Sequence, residues 1–174
     1  MLEINNNIIN EAKKGKSQFN ELIKLIENDL YRVIRFKLNN QDDIDEAFQE
    51  TIIKIYKNLN KLKEPNKFKF WSISIAINEC NKIYKKRPNN FYNIDDYENL
   101  IFDDSNIKTT ESNINFKEIL SLLDKDENTL MNLYYGENFT TKEISKILKI
   151  PEGTIKSKLS RCREKIKKIL SKGD

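Results

Sequence analysis

This chain of 174 residues contains no histidine and little glycine, proline, cysteine or tryptophan. Without histidine, imidazole acid–base chemistry and histidine metal ligation are excluded. Four glycines leave no phosphate-cradling loop. Cys80 and Cys162 are far apart and fall at helical positions beside apolar neighbours, so we expect reduced core residues rather than a disulfide. The sequence predicts no catalytic residue, no metal, no cofactor and no small-molecule substrate.

Long hydrophobic runs are also lacking. No apolar run approaches the roughly 20 residues needed to cross a bilayer, and residues 1–7 lack the basic and apolar blocks of a signal peptide. We therefore expect a cytoplasmic protein without membrane insertion.

The net charge of +4 hides an uneven distribution. Residues 93–112 carry six carboxylates against Lys108, a balance of −5, whereas residues 149–172 carry nine cations against two carboxylates, a balance of +7. An acidic middle and a basic end indicate modules with different partners.

Apolar residues recur at helical spacing along most of the chain, which predicts an all-α protein. Residues 88–115 lack this period and are rich in Asn, Asp, Ser and Thr, as in an extended linker. We expect two small helical domains, residues 1–87 and 116–174, joined by a flexible acidic linker at residues 88–115. Within them, Ser17 is predicted to cap one bent helix or two, and Asp126 to cap a helix at residues 127–135.

The strongest pattern lies at residues 139–170. One side of a predicted helix is apolar, and the opposite side is polar and basic; the apolar residues are Ile155, Leu159, Cys162, Ile166 and Ile169. Pro151 fits its first turn. A shorter helix, residues 141–148, precedes it, with a capping box of Thr140 and Glu143.

Only Lys149 and Ile150 join these two helices, so the helices must cross steeply, as in a helix-turn-helix. In that motif the second helix enters the major groove of DNA. A helical hairpin with a solvated basic face also fits the pattern, but the local charge of +7 favours DNA binding.

A second informative helix is predicted at residues 43–62. Opposite its apolar stripe lie Glu46, Glu50, Ile53 and Lys57. The carboxylates fit a solvated helix N-terminus, while an exposed isoleucine among them suggests a protein-binding surface, although a single exposed apolar residue is unremarkable.

A third stretch, residues 67–87, interleaves aromatic residues with lysines, which suits single-stranded nucleic acid. The simpler interpretation, which we favour for Phe68 and Trp71, is that they fill the core. Ser74, Asn78 and Lys82 lie one turn apart and form one polar ridge.

Taken in order, these stretches resemble the extracytoplasmic-function group of the sigma-70 family of bacterial RNA polymerase initiation factors. The sequence D-I-D-E-A-F-Q-E-T-I-I-K-I-Y at residues 43–56 is similar to the polymerase-binding helix of the group. The sequence F-K-F-W-S-I-S-I-A-I-N at residues 68–78 is similar to its promoter-melting helix, and E-I-S-K-I-L-K-I-P-E-G-T-I-K-S-K-L-S-R-C-R at residues 143–163 to its promoter-reading helix-turn-helix.

The resemblance implies an alternative sigma factor whose partners are core RNA polymerase and promoter DNA. It implies that polymerase docks on the helix face formed by Glu46, Gln49, Glu50 and Ile53. It implies that the minus-ten element contacts Lys63, Asn66, Lys67, Ser74, Asn78 and Lys82. It implies that the minus-thirty-five element contacts Lys156, Ser157, Lys158, Ser160 and Arg161. An anti-sigma protein is a common partner in the group, although no feature of this sequence demands one.

Four residues depart from the family pattern: Ala47, Ser72, Asn81 and Asp124. Two other functions remain open from the sequence. A stand-alone helix-turn-helix regulator explains residues 139–170 but leaves residues 68–87 without a role. A helical adaptor that binds only protein does not use the basic end.

Overall fold

The structure is a computed structural model that describes residues 6–87 and 123–171, without the side chains of residues 169 and 170. Every regular element within these ranges is helical, which confirms the all-α prediction. The predicted linker lies outside the described residues, as do residues 116–122 of the predicted second domain. The helices are α1 (Asn6–Ala12), α2 (Lys16–Lys24), α3 (Glu27–Lys37), α4 (Gln41–Asn58), α5 (Phe68–Lys86), α6 (Lys125–Met131), α7 (Thr141–Leu148) and α8 (Glu152–Leu170).

Two predicted helix starts are wrong. Helix α2 begins at Lys16 behind an extended Gly15 that offers no side-chain cap, so Ser17 already lies inside the helix. Helix α6 is capped by Asp124, whose side chain accepts a hydrogen bond from the backbone N–H of Glu127, while Asp126 lies in the first turn. The region after Gly15, predicted as one bent helix or two, is two helices, α2 and α3, because the chain turns at Leu25 and Ile26.

Helix α5 is the centre of the N-terminal bundle, formed by α1 to α5. It packs against α3 and α4, and its inward side chains include the fully buried Phe68, Ile73 and Ile77. Burying a side chain of this size contributes about 1.5–3 kcal/mol. Helices α1, α2 and α3 are too short to be stable alone in water, so they depend on this shared core.

The C-terminal bundle contains α6, α7, α8 and a π-helical turn, Asn132–Gly136, in place of the end of the predicted helix at residues 127–135. Its core includes Leu130, Leu133, Ile144 and Ile155. Gly136 ends the turn, where an added Cβ would lie 2.5 Å from the Oδ1 atom of Asn132. A side chain at this position would therefore disturb the turn.

The two bundles pack directly against each other. Helix α3 contacts α6, and α5 contacts α7. The rings of Phe70 and Phe139 meet edge to face with their centroids 6.1 Å apart, and the Lys37 ammonium lies 2.5 Å from the Asp126 carboxylate. One apolar core therefore runs through both bundles. The sequence pattern of a linker between modules did not indicate this contact, and the predicted boundaries at residues 87/88 and 115/116 stay predictions.

Both cysteines are free and buried, as predicted. Burial raises the pKa of the Cys80 thiol to about 12, with the nearby Lys37 ammonium opposing the rise. Burial also raises the pKa of Cys162. Because the thiolate is the reactive form, neither thiol is expected to react in the folded chain.

We predict that Cys80 is protected from Ellman's reagent at pH 8 until the chain unfolds. A thiol with a pKa near 12 is about 10⁻⁴ ionised at that pH, and its burial blocks access as well. The measurement is the reaction rate of a Cys162→Ser variant, with and without denaturant, so that only Cys80 is observed. Fast reaction without denaturant would show that α5 is not buried as described.

Candidate nucleic-acid and protein-binding surfaces

The predicted helix-turn-helix is present. The Thr140 hydroxyl accepts a hydrogen bond from the Glu143 N–H at 3.2 Å, and the Glu143 carboxylate accepts one from the Thr140 N–H at 2.9 Å, which is the predicted capping box. Helix α7 ends at Leu148 and is capped by Lys149, whose φ of 59° is left-handed. Pro151 lies just before α8 rather than in its first turn, and its carbonyl accepts from the Ile155 N–H at 3.1 Å.

The outward side of α8 is a polar and basic ridge, here called the α8 ridge: Lys156, Ser157, Ser160 and Arg161. All four side chains are exposed, whereas Lys158, from the same predicted set, is half-buried and borders the crevice between the bundles. Lys156 is 2.9 Å from Glu152. Arg161 forms no ion pair with any described residue, so its guanidinium is available to a ligand.

Arg163, which was not singled out from the sequence, is held beside the ridge. Its Nε donates a hydrogen bond to the Tyr135 hydroxyl at 2.7 Å, and its guanidinium carbon lies 5.7 Å from the centre of the Tyr134 ring and 5.9 Å from that of Tyr135. Tyr135 is 52% exposed. No local pattern connects Arg163 with these tyrosines, because they lie on a different element.

A second basic surface lies along α5, where a cleft of about 750 Å³ opens between α4, α5 and the end of α7. Of the predicted minus-ten residues, Asn78 and Lys82 line this cleft. Ser74 instead donates a hydrogen bond to the Phe70 carbonyl at 2.7 Å and does not line it. Five lysines border the cleft: Lys54, Lys61, Lys82, Lys85 and Lys149.

The aromatic residues of α5 divide between core and cleft. Phe68 is fully buried, as we predicted. Trp71 packs against the core but is only partly buried and also lines the cleft. A flat ring beside lysines provides both stacking and phosphate neutralisation for a single strand.

The loop before α5 carries the other predicted minus-ten residues, Lys63, Asn66 and Lys67. All three are exposed, and Lys67 lies 2.6 Å from Glu64. None of them lines the cleft, so the structure places the predicted set on two adjoining surfaces rather than one.

Glu79, which sequence reasoning missed, organises the cleft wall. Its nearly buried carboxylate lies 3.0 Å from the Lys82 ammonium and also pairs with Lys54. Burial alone raises the pKa of Glu79, but the hydrogen bonds from Lys54 and Lys82 outweigh burial and hold that pKa below its ordinary value. An ionised Glu79 thus fixes two cations at the cleft.

The predicted docking face of α4 contains exposed side chains and one that is held by an ion pair. Gln49 and Glu50 are exposed, and Ile53 is 42% exposed. Glu46 is half-buried and lies 3.2 Å from Arg87, which also pairs with the buried Asp43. Tyr56, one turn beyond Ile53 and 47% exposed, extends this face and was not predicted.

The four departures from the family pattern have different surroundings. Ala47 and Ser72 are fully buried, so the size of the side chain at these positions affects how the core packs. Asn81 is exposed and borders both the α5 cleft and the crevice between the bundles. Asp124 caps α6.

No helix among the described residues is long and apolar enough to cross a membrane. In those same ranges, no group of three or more cysteine, aspartate and glutamate residues is arranged to hold a metal ion.

Two family profiles match the chain in consecutive parts. Sigma-70 region 2 matches residues 22–88, and sigma-70 region 4 matches residues 119–168. The first match covers α3, α4 and α5, and the second covers the helix-turn-helix.

Similar proteins span nearly the whole chain. The ECF RNA polymerase sigma factor SigW of Bacillus subtilis is 28% identical over 177 aligned residues, covering 93% of this chain and 94% of SigW. SigM of the same organism is 25% identical, covering 88% of this chain and 95% of SigM. Two solved structures share the fold. The first is RpoE of Bartonella quintana bound to the anti-sigma factor NepR, with a TM-score of 0.66 and 21% identity; the match covers 90% of this chain and 98% of RpoE. The second is CnrH bound to the cytosolic domain of CnrY, with a TM-score of 0.67 and 16% identity; the match covers 99% of this chain and all of CnrH.

Proposed function

This chain belongs to the extracytoplasmic-function group of the sigma-70 family, and we propose how its surfaces divide the work of an alternative sigma factor. The observation that carries the proposal is that one chain holds both family regions, one with an exposed α8 ridge and the other with a basic, aromatic cleft. Sigma factors are not enzymes, so core RNA polymerase performs all covalent chemistry. We propose that the chain acts in the cytoplasm, where it would work with polymerase.

The α8 ridge is proposed to read the minus-thirty-five element in the major groove. Lys156, Ser157, Lys158 and Ser160 position the helix through phosphate contacts, which set register without reading sequence. Arg161, exposed at the centre of the ridge, is suited to a bidentate contact with guanine. Lys158 reaches the DNA only after leaving the crevice between the bundles.

The α5 cleft is proposed to hold the separated minus-ten strand. Opening a duplex costs a few kcal/mol for each flipped base. Asn78 offers hydrogen bonds to a base, Trp71 offers a stacking surface, and Lys82 neutralises phosphate. Ser74 and the loop residues Lys63, Asn66 and Lys67 would guide the strand beside the cleft. Binding of the open strand offsets part of the cost of melting.

The α4 face is proposed to dock on core polymerase through Glu46, Gln49, Glu50 and Ile53. An apolar residue within an acidic face gives both burial and charge complementarity to a basic partner. An anti-sigma protein is a further proposed partner, because the similar RpoE was solved with the anti-sigma factor NepR bound to it.

Run-off transcription with purified core polymerase tests the function. We expect the chain to direct initiation at defined start sites that core polymerase alone does not use. A stand-alone helix-turn-helix regulator would bind DNA without redirecting core polymerase, and a protein-binding adaptor would do neither. The absence of any new start site on a library of promoter fragments would contradict the proposal.

We predict that Arg161→Ala weakens use of the cognate promoter by roughly 1–3 kcal/mol and relaxes preference at one base position. The measurement is transcription from promoters varied through the minus-thirty-five element. Arg163→Ala is the matched control, since it removes the same charge from the same helix at a side chain held by tyrosines. If Arg161→Ala reduced transcription equally from every promoter sequence, Arg161 would contact phosphate rather than a base.

We predict that Glu50→Lys abolishes binding to core polymerase without unfolding the chain, because it places a cation in the proposed docking face. Holoenzyme formation is measured by gel filtration, and folding by circular dichroism. Glu21→Lys, on the exposed side of α2, is the control with the same change of charge. Unchanged holoenzyme formation by Glu50→Lys would remove this face from the docking surface.

A further inference from the structure

A buried carboxylate joins the two bundles. Glu137 follows the π-helical turn, and its side chain is fully buried against the N-terminal bundle. One carboxylate oxygen lies 2.8 Å from the Lys69 ammonium of α5, and the other lies 3.5 Å from the Arg32 guanidinium of α3. Asp29 of α3 completes the group, 2.8 Å from Lys69 and 3.7 Å from Arg32.

The charges of these four side chains cancel at one place only when the two bundles are packed together. Asp29, Arg32 and Lys69 form a seat on the N-terminal bundle with two cations and one carboxylate, and Glu137 supplies the missing negative charge. Burial raises the pKa of Glu137, as does Asp29, while Lys69 and Arg32 oppose the rise. A buried carboxylate is tolerated only with such partners, so the seat and Glu137 depend on each other.

The backbone conformation next to Glu137 helps to direct its side chain towards the N-terminal bundle. Asn138 has a left-handed φ of 58°, and the Phe139 N–H returns to donate to the Leu133 carbonyl at 3.0 Å. Phe139 then packs edge to face on Phe70, next to Lys69 in the chain. Charge pairing and ring packing therefore act at one point of the interface.

The packed arrangement is too compact for both promoter elements. The minus-ten and minus-thirty-five positions are roughly 25 base pairs apart, or about 85 Å of duplex at 3.4 Å per base pair. Here α5 and α7 are in contact, and Lys149, directly after α7, borders the same cleft as Asn78 and Lys82. The 35 residues from 88 to 122 reach at most about 120 Å when extended, so the chain length permits the bundles to part.

We propose that the packed bundles are a closed state that cannot engage a promoter, and that Glu137 in the seat of Asp29, Arg32 and Lys69 is the latch that holds this state. The inhibitory role rests on the proposed function. Opening withdraws Glu137 and frees the cleft and Lys158. The seat is built from α3 and α5 and includes no residue of the α4 docking face, so the two can be varied independently.

The first test is small-angle X-ray scattering of the full chain. The wild type is expected near a radius of gyration of about 16 Å, the value for one compact body of 174 residues. Glu137→Lys places a cation beside Arg32 and Lys69, and is expected to raise the radius to about 20 Å or more. Glu11→Lys is the control with the same charge change, because Glu11 lies on α1 and pairs with Lys14 rather than with the seat.

The double variant Glu137→Lys with Lys69→Glu restores the charge balance and should restore the compact radius. It also guards against a variant that simply fails to fold, together with helix content by circular dichroism. An extended wild type, or a Glu137→Lys chain as compact as the wild type, would overturn the latch. So would a double variant that is folded but still extended.

The second test is binding of the free chain to promoter duplex by fluorescence anisotropy. If at least about nine-tenths of the wild type is closed, Glu137→Lys should tighten binding about tenfold or more relative to Glu11→Lys. Equal affinity of an open Glu137→Lys chain and Glu11→Lys would refute the inhibitory role. Failure of wild-type run-off transcription would refute the proposed function instead, and the scattering result would still decide whether Glu137 closes the chain.

Discussion

The burial of α5 is the constraint on which the rest of the structure depends. This helix packs against α3 and α4 within its own bundle and against α7 of the other. Its inward side supplies Phe68, Ile73 and Ile77 to the core, while its outer side carries Trp71, Asn78 and Lys82. Because one rigid helix carries both sets, the core that stabilises the fold also sets the position of the proposed strand-binding residues.

Buried and half-buried charges are placed where they organise a surface rather than add stability. Glu79 holds Lys54 and Lys82 at the cleft, Asp43 and Glu46 hold Arg87 at the edge of the docking face, and Glu137 joins Arg32 and Lys69 across the bundles. Replacing such pairs with apolar residues often costs nothing in stability. In this chain such pairs instead fix which cations are exposed at the surface and how the two bundles pack together.

The exposure of several candidate residues was foreseen, but their finer arrangement was not. The exposure of Arg161, Glu50 and Ile53 follows from helical period alone, since each lies opposite an apolar stripe. The half-burial of Lys158 and the pairing of Glu46 do not, because Lys158 borders a crevice lined by both bundles and Glu46 pairs with Arg87, which is distant in sequence. Ser17 and Asp126 were wrong as caps, because α2 begins after Gly15 without a side-chain cap and because local preference did not separate Asp126 from the nearby Asp124.

The sequence by itself determined the helical class, the inward and outward sides of α4, α5 and α8, the capping box at Thr140 and the helix-turn-helix, because these depend on residues three or four positions apart. Only the tertiary structure decided that the two bundles share one core, that Glu79 and Glu137 are held by cations from other turns and helices, and that Tyr134 and Tyr135 hold Arg163. Those contacts join residues that are remote along the chain, and their free energy depends on burial that no local pattern records.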